Sequence, residues 1–501
     1  MINLKTISKF ILGTVCGSLL TVSIYATADN PSSGTLSQQK LTTGSGIPVD
    51  EVNNFAKVYA IAKNYYVESV TDTKLMKGAI DGMLNNLDPH SDYLDADAFK
   101  QLTEMTSGSF GGLGIEVSRD KGSDGVKVVA PIFGTPAYKA GIQSGDLIVK
   151  INDTPTSGIS LDESIKKMRG TIGTKVKLTV ARANELKPLE FTITRAKIEV
   201  RSVQSTMLTP DYGYIRITNF QSDTTNELVK ALNKIYKENP HLKGLVLDLR
   251  DDPGGLLQSA VGVSGAFLPK DSLVVYTDGR MENSKQKYYV KPADYDVDGT
   301  QENTLKTIPA IFKTLPMVVL VNRGTASASE IVSGALQDYK RAKILGMRTF
   351  GKGSVQTVIP LSDTTAIKLT TALYYTPKGR SIQAKGIQPD IIIQSEYSDI
   401  VDSWDVSEAS YDNHLDNPVA SDSKTSTRES APIIKPPKQI ATTEEIKARA
   451  EARLKQVPKV VDQSQAQVDI KDDFQLQWAL NIIEGKPLPI ESATANKKKV
   501  N

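Results

Sequence analysis

The chain has 501 residues, 39% hydrophobic and 23% charged, with 60 Lys and Arg against 57 Asp and Glu. That near-neutral balance lacks the basic face expected of a nucleic-acid partner. A single cysteine, Cys16, excludes an intrachain disulfide framework and a cysteine-rich zinc site. Only three histidines are present, with no HExxH pair among them.

Taken in chain order, Lys5 and Lys9 precede an apolar run from Phe10 to Tyr25, followed by Ala26-Thr27-Ala28. A basic start, a run of this length and a small-residue exit predict a secretory signal peptide over 1–28. The run is short for a spanning helix, which needs ~20 apolar residues. The expected location is therefore periplasmic, the alternative being an uncleaved anchor in the inner membrane facing the periplasm. Residues 29–48, rich in Ser, Thr, Gly and Gln, read as a flexible linker. Val52, Phe55, Tyr59, Ala62 and Tyr66 recur at steps of three and four, which places a helix in the region 49–103. A second helix is expected near Leu75–Leu87, ending at Asp88-Pro89.

Residues 104–185 read as short strands, such as Val126–Ala130 and Val176–Val180, around one capped helix. Ser160 and Glu163 form a capping box, and Leu161, Ile165 and Met168 share a face that ends at Arg169-Gly170. Ahead of it stands Gly112-Leu113-Gly114-Ile115, a turn able to present backbone N–H groups to a terminal carboxylate. With Gly134-Thr135-Pro136-Ala137, Ala140-Gly141-Ile142 and Gly145-Asp146-Leu147-Ile148 following in order, this stretch resembles a PDZ domain. The resemblance implies that an extended peptide pairs beside Gly112, Leu113, Gly114 and Ile115. Arg169 complements the helix dipole in the simplest reading. The sharper reading is that it couples peptide binding to a catalytic domain.

Residues 186–400 alternate strands (Gly213–Ile217, Gly244–Leu249, Met317–Val321) with helices (Thr224–Lys237 and about Ala326–Tyr339), the pattern of a mixed sheet covered by helices. Three stretches there carry chemistry. In Gly324-Thr325-Ala326-Ser327-Ala328-Ser329-Glu330, a serine stands on a strand-to-helix turn, where it is either a nucleophile or an ordinary cap. In Asp252-Pro253-Gly254-Gly255, the N–H of Gly254 or Gly255, joined by that of Ala328, could form an oxyanion hole. In Gly351-Lys352-Gly353, a lysine that serves as a base must be neutral, which burial achieves. The same stretch breaks the phosphate-loop pattern. None of His90, His241 and His414 has a setting that marks it as a base, so each reads as structural or solvated.

These motifs, together with Leu87-Asp88-Pro89-His90-Ser91-Asp92-Tyr93-Leu94 and Ala384-Lys385-Gly386-Ile387-Gln388-Pro389-Asp390, resemble the C-terminal processing peptidases, or tail-specific proteases, from roughly Val49 to Ile393. The resemblance implies an α+β multidomain protein. A mixed α/β serine-peptidase core carries an inserted PDZ domain and helical N- and C-terminal segments. Ser327 is then the nucleophile, Lys352 the base and Gln356 its support. On a straight strand Lys352 and Gln356 would stand ~13 Å apart at ~3.3 Å per residue, so Gly353 is expected to bend the chain. The implied partners are proteins or peptides with apolar C-termini, with an adaptor and a homodimer by family analogy. No metal, nucleotide or organic cofactor is implied. The rival reading is a PDZ scaffold that binds tails without cutting them. Residues 401–440 read as a low-order linker, and 441–501 as a tail with helices at Thr443–Gln456 and Phe474–Glu484.

Overall fold

The computed structural model describes residues 22–23, 48–119, 125–183, 185–297, 299, 303–394, 406–418, 431–435, 462–466, 468–471 and 473–487. Among these, no helix is long and apolar enough to cross a membrane. The segment Thr443–Gln456 lies outside the described residues, as does the expected signal segment apart from Val22–Ser23.

Helices Val49–Tyr65, Asp72–Asn85 and Ala96–Ser107 open the described chain. Thr71 and Asp95 cap the second and third through the Lys74 and Ala98 amides. The first helix buries none of its residues and exposes Val52, Phe55, Val58 and Ile61. The third runs across position 103, where composition alone places a boundary.

Strands Ser109–Gly112 and Ala196–Glu199 pair antiparallel. The chain enters and leaves the inserted unit through this ribbon. The unit is an antiparallel sheet in the order Ile115–Ser118, Val126–Pro131, Leu147–Ile151, Lys175–Ala181, Leu189–Thr194. Alternation along Lys175–Ala181 sends Val176, Leu178 and Val180 inward to meet Val128, Ile148 and Met168. Helix Leu161–Met168 closes the other side, capped by Ser160 through the Glu163 amide at 3.0 Å. The sheet extends to Thr194, beyond the expected end at 185, because Leu189–Thr194 returns as a hairpin partner of Lys175–Ala181.

The central sheet of the larger unit runs in the order Val203–Thr209, Tyr212–Ile217, Gly244–Asp248, Met317–Val321, Lys343–Gly346, Ile391–Ile393, Ile433–Ile434. Only the first pair is antiparallel. Gly244–Asp248 and Met317–Val321 are buried at every position, as their continuous apolar runs require of parallel strands covered on both faces. Helices Thr224–Glu238, Leu257–Phe267 and Ala328–Asp338 pack on one face. Helix Phe474–Ile483 supplies Leu476 and Ala479 to the other, against Val246, Val318 and Leu320. The C-terminal helix is thus a layer of the core.

A second sheet carries Ser354–Pro360, Ala366–Tyr375, Leu273–Asp278 and Lys287–Tyr289. Val22–Ser23 pairs with Gln356–Thr357, and Asp92–Leu94 from the N-terminal region pairs with Ala366–Lys368.

The expectation of a low-order linker over 401–440 fails at two places. Ile433–Ile434 adds a strand to the central sheet, and Glu408 is buried, bonded to His90 and Gln383. Polar composition hides this because the partners of the buried Glu408 carboxylate lie elsewhere in the chain.

The C-terminal layer is fastened by charge. The Arg250 guanidinium bonds Asp248 Oδ2 and Asp473 Oδ2, each at 2.6 Å, and the Tyr214 hydroxyl donates to Asp248 at 2.8 Å. Asp248 is wholly buried. Burial disfavours its charge, yet Arg250 outweighs that and holds its carboxyl below the ordinary range. Arg250→Ala removes the closest cation from this buried carboxylate and leaves only Arg216, at 3.9 Å, as an ion-pair partner, and chemical denaturation should register a loss of about 3 kcal/mol. Lys243→Ala, which breaks the exposed pair with Asp211, should cost under about 1 kcal/mol.

Candidate active site

Gly244–Asp248 and Met317–Val321 are adjacent and parallel, so the loops leaving their C-terminal ends converge, the usual place for a site in such a sheet. One loop carries Gly254 and the other Ser327. Gly254 has φ 96°, and a Cβ there would lie 2.7 Å from Ser327 Cβ and 2.8 Å from Ala328 N. No side chain fits, so the backbones of the three residues stand in contact. Gly255, at φ 146°, has a different duty: a Cβ there would meet Phe220 O at 2.0 Å. In this conformation the Gly254 N–H is given to Asp252 Oδ1 at 2.8 Å. Asp252 is wholly buried, and burial raises its carboxyl well above the ordinary range.

Ser327 has φ 57° and ψ −116° and precedes helix Ala328–Asp338. A left-handed φ on a non-glycine residue is strained, and such strain gathers at functional turns. Its Oγ is buried and has no hydrogen-bond partner among the described residues. An unused buried hydroxyl is costly unless something else is meant to engage it.

Lys352 is among the largest fully buried side chains. Its Nζ donates to Gln356 Oε1 at 2.5 Å and to Ser354 O at 3.2 Å. Burial strips water from the ammonium and lowers its pKa to about 7, with the charge of Glu408 opposing part of that fall. The contact with Gln356 forms because Lys352 stands ahead of strand Ser354–Pro360, whose pairing also shifts register between Val355 and Gln356. Gly353 packs where a Cβ would meet Gln383 N at 2.5 Å. No hydrogen bond joins Lys352 Nζ to Ser327 Oγ in this conformation.

Two residues that sequence reasoning left without a role hold the Ser327 and Lys352 backbones together. Glu330 Oε2 accepts from Ser327 N at 2.8 Å and from Lys352 N at 3.0 Å. Its Oε1 accepts from Gly351 N at 2.8 Å and from Thr349 Oγ1 at 2.5 Å. Burial pushes its carboxyl up to about 7 even so. The Tyr374 hydroxyl lies between the carbonyl oxygens of Ser327, at 3.0 Å, and Lys352. Glu330 had a signal in the sequence, the Ser-x-x-Glu spacing of a capping box. Tyr374, on a distant strand, had none.

The histidines are placed otherwise. His90 is bonded to Glu408 through Nε2 at 2.8 Å, and burial lowers its pKa. His414 Nδ1 pairs with Tyr411 O, and His241 is exposed.

In the smaller unit, a groove of about 420 Å³ runs between strand Ile115–Ser118 and helix Leu161–Met168, lined by Leu113, Ile115, Val117, Ile165, Met168 and Arg169. Gly114 has φ 75°, and a Cβ there would lie 2.4 Å from Thr135. Gly112 pairs with Ala196 in the entry ribbon. Arg169 lies with its guanidinium carbon 4.0 Å from the Phe110 ring centroid and bonds Glu104 at 3.2 Å.

Glu330→Ala strands three buried amides, at Ser327, Gly351 and Lys352. It should lower stability by more than about 3 kcal/mol in chemical denaturation. Glu330→Gln, which offers one acceptor oxygen in place of two, should fall between the parent and Glu330→Ala.

Comparison with known families places Peptidase family S41 over residues 211–393, a PDZ domain over 101–181 and the Activating protease CtpB N-terminal domain over 11–98. The chain is 44% identical over 358 residues to a carboxy-terminal-processing protease of Bartonella bacilliformis, a match spanning 71% of this chain and 78% of that one. It is 39% identical over 358 residues to a probable CtpA-like serine protease of Staphylococcus aureus, spanning 71% and 68%. Among solved structures, a photosystem II D1 C-terminal processing protease is 32% identical, with 69% of this chain and 87% of that one covered at a TM-score of 0.39. The chain belongs to the PDZ-bearing carboxy-terminal-processing serine proteases of peptidase family S41.

Proposed function

We propose that this protease is exported to the periplasm, takes protein C-termini into the groove beside Ile115–Ser118, and cuts by a Ser327/Lys352 dyad. The observation that carries the dyad is the Lys352 amine. It is fully buried, held by two carbonyl oxygens, and set on a loop stapled to that of Ser327. A neutral amine has two N–H bonds and one lone pair. With both N–H bonds directed at Gln356 Oε1 and Ser354 O, the lone pair remains to take the Ser327 proton. The serine oxygen then attacks the peptide carbonyl, and the amine returns the proton to the leaving nitrogen. An acyl-enzyme results, and water opens it with the same base. Because Gly254 abuts Ser327 and Ala328 N, the oxyanion hole is assigned to Gly254 and Ala328, and Gly255 to packing. To serve there, the Gly254 N–H must leave Asp252 Oδ1. The Ser327 hydroxyl must likewise come within hydrogen-bond reach of Lys352 Nζ to complete the dyad.

Arg169 reaches the catalytic loops through an unbroken set of contacts. It bonds Glu104 on helix Ala96–Ser107, and Thr106 O on that helix accepts from Ser222 N. Phe220, two residues back, donates its N–H to Gly254 O at 2.8 Å and accepts from Leu256 N. A peptide that moves Arg169 therefore bears on the Gly254 turn. Export rests on the apolar run and its Ala26-Thr27-Ala28 exit.

Ser327→Ala and Lys352→Ala should each reduce cleavage of a peptide with an apolar C-terminus to background, and a mutant that cuts like the parent ends the dyad reading. The base works only unprotonated, so kcat/KM should rise with pH through about 7 and level above it. A profile flat from about pH 6 to about pH 9, a range that brackets that value, refutes a lysine base. Arg169→Ala should slow cleavage of a tailed protein more than cleavage of a short peptide, and equal effects on both would remove the coupling.

A further inference from the structure

The Leu87–Leu94 stretch stands apart in the sequence, yet no step described so far uses it. It forms a turn whose Asp88 carboxylate is buried and accepts four hydrogen bonds. Oδ1 takes His90 N at 2.9 Å, Ser91 N at 3.0 Å and Thr370 Oγ1 at 3.0 Å, and Oδ2 takes Ser91 Oγ at 2.6 Å. Three of these close the turn. The fourth leaves it for strand Ala366–Tyr375, where Thr370 is the cross-strand partner of Gln356. Thr370 Oγ1 in turn accepts from Gln356 Nε2 at 3.0 Å. Gln356 Oε1 accepts from Lys352 Nζ. An unbroken line of hydrogen bonds therefore runs from the N-terminal region to the lysine.

We infer that Asp88 is a positioning residue for the catalytic base, setting the direction of the relay Lys352–Gln356–Thr370–Asp88; the inference rests on the reading of Lys352 as the base. A carboxylate can only accept. The single Thr370 proton must therefore go to Asp88, leaving only lone pairs for Gln356. Gln356 has to answer with its NH2 group, which also reaches Ser354 Oγ at 3.0 Å. Its carbonyl is thereby committed to Lys352. A glutamine free to flip would present N–H to the amine half the time, drawing the lone pair away from Ser327. With the sense of the line imposed from Asp88, the lysine donates to Gln356 and Ser354 O, and its lone pair points elsewhere. A carboxylate that orients a histidine base in other serine hydrolases works by the same logic. Here the orientation passes through two neutral side chains and across two strands, and it originates in a segment outside the central sheet.

Thr370→Val removes the relay hydroxyl while leaving the three hydrogen bonds that close the turn, and Thr370→Ser restores it. On a fluorogenic peptide with an apolar C-terminus, Thr370→Val should lower kcat about 10- to 100-fold with KM within about twofold, and Thr370→Ser should recover most of the loss. Asp88→Asn should lower kcat alone, and the Asp88→Asn/Thr370→Val double variant should be no slower than Thr370→Val. Parental kcat in Thr370→Val, with Lys352→Ala inactive, overturns the relay and leaves the dyad standing. An active Lys352→Ala overturns both. Losses that multiply in the double variant also overturn the relay, because Asp88 would then act only by folding its turn. Should Thr370→Val melt below the assay temperature, Asp88→Asn carries the test: a loss in kcat at unchanged KM supports the relay, and parental kcat overturns it.

Discussion

A primary amine without water around it is the constraint that the rest of this molecule serves. Moving an ammonium group into a dry interior is so unfavourable that the group gives up its proton instead. The fold supplies the dryness at Lys352 with the second sheet and the Glu408 segment. It also supplies two carbonyl oxygens, from Gln356 and Ser354, as acceptors for the N–H bonds of the amine. Complete burial without acceptors would leave an orphaned donor, and acceptors without burial would leave an ordinary charged lysine.

The second requirement is that the dry amine and a strained serine lie in a fixed relation although 25 positions separate them in the chain (327 to 352). Glu330 and Tyr374 meet it from opposite chemical sides, one accepting both N–H groups and the other lying between both carbonyls. Glu330 is itself a buried carboxyl. It is tolerated because each oxygen accepts two hydrogen bonds, and removing it would expose the opposing amides to the same desolvation it relieves. The site is closed in this conformation: Ser327 is buried, and the Gly254 amide is engaged by Asp252.

Much of this was legible along the chain. The capped helix Leu161–Met168, the amphipathic helix Thr224–Glu238 and the buried strands Gly244–Asp248 and Met317–Val321 announce themselves through period and caps, which are local properties. The small-residue turn at Ser327 and the glycines around Lys352 stood out for the same reason. Composition misled at Glu408 and Ile433–Ile434, where polar neighbours suggested a loose linker. The partners of those residues, His90 and Gln383 for Glu408 and Ile392–Ile393 for the short strand, lie elsewhere in the chain.

Sequence alone, read for period, caps and resemblance, singled out the residues on which the proposed chemistry rests: a serine, a lysine, a glutamine and a glycine-rich turn. It could not tell Gly254 from Gly255, since only the packing of one against Ser327 and of the other against Phe220 separates them. Nor could it find Tyr374, Glu408, Thr370 or Asp88 as neighbours of the lysine, because nothing in the local pattern of those positions depends on Lys352. Local free energies of helix, strand and turn are written in adjacent residues. The dielectric around one amine is a sum over segments that meet only when the two sheets and the N-terminal strand close around it.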